Sequence, residues 1–269
     1  MFKFNKYFAI ILLAIFMAVS VIGCTGEGGD DATNGGDVLE PTDTLMVYSG
    51  AGLRKPMDEI GEVFEEEFNI RIEYSYAGSA QNLSQIELTG TGDVYMPGAK
   101  MYGQQAVEKG LAEDNIKEVA YHIPVIAVPQ GNPAGIEKLE DLAKPGVKVV
   151  LGDPEAAAIG KTSVKIFKEN GLKEAVDANT VATAPTVNEV LVYVAMKQCD
   201  AAIIWEDNVV GVEDVEAIPI AEEQNDIKTL PIMVLKSSEK SELAQKFVDF
   251  VAGPEGKAIY ENHGFKIIE

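Results

Sequence analysis

The stretch VYSGAGLRKPM, Val47–Met57, decides how this chain folds. An apolar run, Leu45 to Tyr48, stops at Ser-Gly-Ala-Gly, and an amphipathic segment with Met57, Ile60, Val63, Phe64 and Phe68 on one face follows at once. That pattern predicts a strand, a tight glycine turn and a helix start. Such a turn aims unpaired backbone N–H groups and the positive end of a helix at one point, where an anion can sit. Similar turns recur at Ala77-Gly78-Ser79, at Ala156–Gly160 and before Val187. The expectation is that these turns converge on one bound oxyanion.

Outward from this stretch, strands and helices alternate. Ile70–Tyr76 reads as a strand, Ala80–Leu88 as a helix, Asp93–Met96 as a short strand and Tyr102–Lys109 as a helix closed by Gly110. Tyr121–Pro129 reads as one longer apolar strand that crosses into a second series. That series runs through helices at Leu139–Ala143, Lys161–Asn170 and Val187–Met196 and strands at Val147–Leu151, Asp200–Trp205, Val215–Ile220 and Leu230–Leu235. Helices at Glu242–Val251 and Gly256–Asn262 close the chain. The alternation implies an α/β fold of mainly parallel sheets, whose ligands bind beyond the carboxyl ends of the strands. Two lobes are expected, residues 45–124 with 232–269 and residues 125–231, joined by two crossings around a cleft that closes by hinging.

The first residues stand apart. Lys3 and Lys6, the apolar run Tyr7–Val21 and Val21-Ile22-Gly23-Cys24 read as a signal peptide over 1–23 rather than a spanning helix. The segment VIGC resembles a lipobox, which would make Cys24 the acylated first residue of a lipoprotein outside the cytoplasmic membrane. Residues 24–44, rich in Gly, Asp, Glu and Thr, read as a flexible tether. Only Cys199 would remain in the exported body, so no internal disulfide is expected.

The formal charge of −21 becomes −23 once residues 1–23 and their two lysines are removed. So acidic a body argues against nucleic acid and anionic membrane as partners. It also repels small anions at long range, so affinity for one must come from short hydrogen bonds inside a cleft. Gly50-Ala51-Gly52 lacks the third glycine of a dinucleotide fingerprint. The two histidines, His122 and His263, lie far along the chain from the glycine turns, and no Ser-His-Asp, HExxH or clustered Cys/His pattern points to an enzyme.

Five further segments carry a family resemblance: YAGSAQNLSQI (76–86), GDVY (92–95), EDLAKPGVKVVLGDPE (140–155), DAAIIW (200–205) and GPEGKAIYENHGFKI (253–267). In this order they resemble the molybdate-binding proteins of ABC importers, with the type II solute-binding fold, from about Met46 to Ile268. The resemblance implies a monomeric receptor without cofactor, whose ligand is molybdate or tungstate and whose partner is a membrane permease with its ATPase. It implies that Ser79 donates its hydroxyl and N–H, and that Ile159 and Val187 give backbone N–H groups. Gly52 stands where the family carries a serine and Trp205 where it carries a tyrosine. Ser49 or Arg54 could supply the hydrogen bond lost at Gly52, and the Trp205 indole keeps one donor. Some tungstate and molybdate binders of this fold complete the metal's coordination with carboxylates, which would give Glu206 that role. Sulfate, phosphate, a carboxylate or ferric iron on the same fold is the alternative ligand, although the adjacent tyrosines of iron binders are missing. An exported enzyme or a structural surface lipoprotein are the other rivals.

Overall fold

In the computed structural model, which describes residues 41–269, Val47–Met57 is the end of strand β1 (Asp43–Gly50), a 3-10 turn (Ala51–Leu53) and the first turn of helix α1 (Arg54–Phe68). Met57, Ile60 and Phe64 fully bury one face of α1, and the helix stops where Asn69 takes the left-handed conformation, φ 55°. β1 begins inside the stretch read as a tether, with Thr42 already bonded to the Asn69 carbonyl. The signal peptide, Cys24 and nearly all of the tether lie outside the described residues.

Two sheets follow. The first has the order β11-β4-β10-β3-β1-β2 and adds β2 (Ile70–Ala77), β3 (Val94–Met96), β4 (Lys117–His122), β10 (Lys228–Val234) and β11 (Lys266–Ile267) to β1. Helices α1, α7 (Ser241–Ala252) and α8 (Pro254–Asn262) pack on it, as do α2 (Ser79–Thr89) and α3 (Lys100–Glu108). The second has the order β7-β6-β8-β5-β9, with β5 (Pro124–Pro129), β6 (Val149–Gly152), β7 (Thr180–Ala184), β8 (Ala201–Trp205) and β9 (Val215–Pro219). Helices α4 (Ala158–Glu169) and α6 (Val187–Ala195) pack on it, and α5 (Lys173–Asn179) lies against a 3-10 turn at Leu139–Ala143.

This is the two-lobed α/β arrangement expected, with two corrections. The sheets are mixed rather than mainly parallel. β1 runs parallel to β2 and β3, and β6 to β7 and β8, but β10 and β5 run antiparallel to all their neighbours. The reason is the crossing: a strand arriving from the other lobe enters its sheet against the direction of the resident strands. Secondly, the single strand read over Tyr121–Pro129 is two strands in different sheets, parted at Ile123. Pro124, which has no N–H to give a ladder, is tolerated as the first residue of β5.

One apolar cluster, built on Leu45, Phe64, Ile232 and Phe247, fills the space beneath α1 and α7. The other runs without a break from Tyr95 and Tyr102, through Ala157, Ala158, Val187 and Trp205, into the core of the second sheet. The lobes are therefore pressed together in this conformation.

Candidate functional site

The glycine turns meet between the lobes. One pocket is lined from the first lobe by Gly50–Leu53, Ala77–Ser79, Gly98 and His122, and from the second by Ala157–Ile159, Thr186, Val187 and Trp205. Each turn is a strand end running into a helix, so four sets of first-turn N–H groups, which lack intrahelical acceptors, border one space.

Gly52, Ser79, Ile159, Val187 and Trp205 are all brought to this pocket. The Ser79 hydroxyl oxygen accepts from Gly98 N–H at 3.0 Å, which leaves its proton free to be donated. Tyr95 Oη holds the Ser79 carbonyl at 2.7 Å from behind. Ala80 N–H is already spent on the Ala156 carbonyl across the cleft, 3.1 Å away, so the contribution of α2 narrows to Ser79. Thr186 turns its hydroxyl to Glu189 on its own helix, leaving Val187 at the opening of α6.

Two expected residues are not brought in. Ser49 is buried behind the first turn and does not line the pocket; Asn82 Nδ2 donates to its carbonyl at 2.8 Å. Arg54 stacks its guanidinium over Tyr76, 4.1 Å from the ring centre. Neither replaces the hydroxyl missing at Gly52. The carboxylate alternative fares no better: Glu206 pairs with Lys266 at 3.3 Å and is absent from the pocket wall. Gly52 has a steric explanation here. A Cβ at that position would lie 2.8 Å from Val187 Cγ1 of the facing lobe, so a serine would not fit this approach.

Sequence reasoning missed His122. The ring is 1% exposed, lines the pocket and stacks on Trp205 with ring centres 3.8 Å apart and planes 19° from parallel. Nδ1 lies 2.8 Å from the Gly98 carbonyl oxygen. Nε2 is 3.2 Å from Asp207 Oδ1, within ion-pair range, but off the line of a hydrogen bond and with no other partner. Asp207 Oδ2 accepts from Asn208 Nδ2 at 2.8 Å, and the same amide reaches the Gly52 carbonyl at 3.1 Å. Asn188 Nδ2 donates to the Ala51 carbonyl at 2.8 Å. Both asparagines thus tie the second lobe to the first glycine turn. No signal within β4 marks His122, because its role depends on a carboxylate from the other lobe.

The chain matches the model of the bacterial extracellular solute-binding protein family over residues 45–266. It belongs to that family. Among relatives of this solute-binding protein, the molybdate-binding protein ModA of Mycobacterium tuberculosis is 24% identical over 256 residues, covering 94% of this chain and 95% of its own. Among solved structures, the periplasmic molybdate-binding protein of Azotobacter vinelandii superposes with a TM-score of 0.72 at 15% identity, over 84% of this chain and all of that one. The sulfate-binding protein SubI of Mycobacterium tuberculosis gives a TM-score of 0.74 at 16% identity, over 84% and 88%. These likenesses establish the type II fold of the solute-binding protein and leave its ligand to be argued from the pocket. No helix among the described residues is long and apolar enough to cross a membrane.

Proposed function

We propose that this solute-binding protein captures molybdate or tungstate outside the cytoplasmic membrane, delivers it to an ABC permease with its ATPase, and catalyses nothing itself. The observation that carries the reading is the pocket wall. It is built of helix-opening backbone, the Ser79 hydroxyl, the Trp205 indole and the His122 ring, and it includes no Asp, Glu, Lys or Arg side chain. Ser79, Gly52, Ile159, Val187 and Trp205 would address the oxygens of the anion, not its metal.

Molybdate and tungstate are fully ionised at neutral pH and offer acceptors only, so a wall of donors satisfies them. A protonated phosphate would leave its own O–H without a partner, at about 1–3 kcal/mol. Sulfate carries the same charge but is smaller, so a pocket sized for longer metal–oxygen bonds would stretch its hydrogen bonds. The ModA relative, a molybdate-binding protein, supports molybdate; the SubI likeness makes sulfate the rival to be tested. The two lobes that open and close would be residues 43–122 with 228–269, built on the first sheet, and residues 124–219, built on the second; the expected bounds at 124/125 and 231/232 shift because β10 starts at Lys228 and β5 at Pro124. Cys24 would anchor the protein through a lipid.

Trp205 is the only tryptophan and stands in the wall, so its emission reports the pocket. Titrating the purified protein with molybdate, tungstate, sulfate and phosphate should change that emission with the first two alone. A response confined to sulfate or phosphate would refute the assignment.

A further inference from the structure

His122 is the one lining side chain able to carry a formal charge, and the oxyanion reading makes no use of it. A carbonyl oxygen only accepts, so the 2.8 Å contact with Gly98 puts a hydrogen on Nδ1. A neutral ring would then leave Nε2 a bare acceptor 3.2 Å from Asp207 Oδ1, off the line of a hydrogen bond, with both groups out of water. Two buried acceptors at that distance repel and have no solvent to turn to. The contact is attractive only if the pair holds one more proton.

The surroundings favour that proton on the ring. Asp207 Oδ2 is already engaged by the Asn208 amide, which suits an ionised carboxylate. The stacked Trp205 face attracts a cation. Of the other groups around the pair, the Tyr260 phenol of α8 has its pKa raised by burial, and secondarily by Tyr74 and Asp207, so it stays neutral. Phe265, 5.9 Å from the ring, carries no charge. Glu206 and Lys266, the chain neighbours of Asp207 and Phe265, offset each other at the surface.

We propose that the His122–Asp207 pair holds one proton between the lobes and that this proton makes anion binding by the pocket pH-dependent. The inference rests on the oxyanion reading of the site. With its proton the pair is neutral; without it the pair is a net anion bordering a site for a dianion, in a chain of charge −21. Binding therefore favours the protonated pair. Where rising pH removes that proton, Kd rises toward about tenfold per pH unit and each binding event takes up one proton.

The test is calorimetry of molybdate binding from about pH 6 to about pH 9.5, in buffers of contrasting ionisation enthalpy, a range chosen to span histidine chemistry. The wild-type protein should bind more weakly as pH rises and take up protons as it binds. H122N keeps a donor for the Gly98 carbonyl but loses Nε2, and D207N can donate to a neutral Nε2; both should flatten the profile. A second readout needs no anion. An imidazolium stacked on an indole quenches its emission, so Trp205 in the ligand-free protein should brighten as pH rises, and should not in H122N. Molybdate binding with a flat profile and no proton uptake overturns the inference and leaves the functional reading standing. An emission titration that H122N abolishes, with no anion bound at any pH, supports the protonated pair and defeats the functional reading instead.

Discussion

Replacing Gly78 by alanine tests whether the lobes close against each other at the glycine turns. A methyl there would lie 2.4 Å from the Ala156 carbonyl oxygen and 2.8 Å from that of Pro185, both in turns of the facing lobe. These are backbone atoms and cannot rotate aside, so the turns must separate by more than half an ångström. The separation also stretches the Ala80 N–H contact to Ala156, now 3.1 Å. Overpacking of this kind costs about 1–3 kcal/mol, and a weakened neutral hydrogen bond adds about 0.5–1.5 kcal/mol. Gly78 has φ −62° and ψ 146°, which alanine adopts freely, so the open arrangement pays nothing. The penalty belongs to the closed, ligand-bound form. Molybdate affinity, read from Trp205 emission or by calorimetry, should fall by about 10- to 1,000-fold. The thermal midpoint of the ligand-free protein should stay close to wild type. An affinity within twofold of wild type would refute the argument that these turns touch in the bound state. A fall in midpoint matching the loss of affinity would place the strain inside one lobe and refute it equally.

Four other outcomes follow from the same geometry. Ser79→Ala removes one donor aimed at a dianion and should weaken molybdate binding by about five- to tenfold, a cost of about 1 kcal/mol or somewhat more, by titration. Glu206→Gln should leave tungstate affinity unchanged, because that carboxylate faces Lys266 rather than the pocket. Asp226 is half-buried: burial raises its pKa, but hydrogen bonds from Lys228 and Lys165 outweigh that and hold it below the usual 3.8. A depressed carboxylate contributes stability above its unfolded pKa and loses it as pH falls through the folded value. Asp226→Asn should therefore cost about 1–2 kcal/mol at neutral pH in urea unfolding, with the gap to wild type closing under strong acid. Burial, reinforced by Asp200, pushes the Cys199 thiol up to about 11, so it should react with a thiol reagent at pH 8 only after unfolding.

Much of this was legible in the sequence because the decisive features are local. A strand, a glycine and a helix start within a dozen residues determine where the N–H groups point, and they mark the turns at Gly50–Gly52, Ala77–Ser79, Ala156–Gly160 and before Val187; the choice of Gly52, Ser79, Ile159 and Val187 within them rests on the family resemblance. Trp205 came from the family resemblance at the end of an apolar strand. What failed was long-range. Strand β7 was passed over because Thr180–Ala184 buries only its last residue, as an edge strand does. β11 is two residues long and exists only because β4 offers an edge. The break at Ile123 is invisible to hydropathy, since Ile123 runs straight into the apolar Pro124–Val128. His122 looked remote from the site because distance along the chain was standing in for distance in space. Ser49 erred in the opposite sense, being next to the turn in sequence but facing away from the pocket.

The two crossings leave one further consequence. His122, the last residue of β4, pairs with Lys228 in the first sheet, and the next strand enters the second with Pro124 against Trp205 and Val125 against Pro219. Asn225 Nδ2, from the return crossing, also holds the Pro124 carbonyl at 3.0 Å. The two covalent links thus run side by side, like a pair of pins on one pivot, and a body so held swings about a single axis but resists twisting. His122 sits at that pivot, where the lever arm is shortest. An opening about that axis would move the ring little against Asp207, so the proposed proton would be in place before a guest arrives.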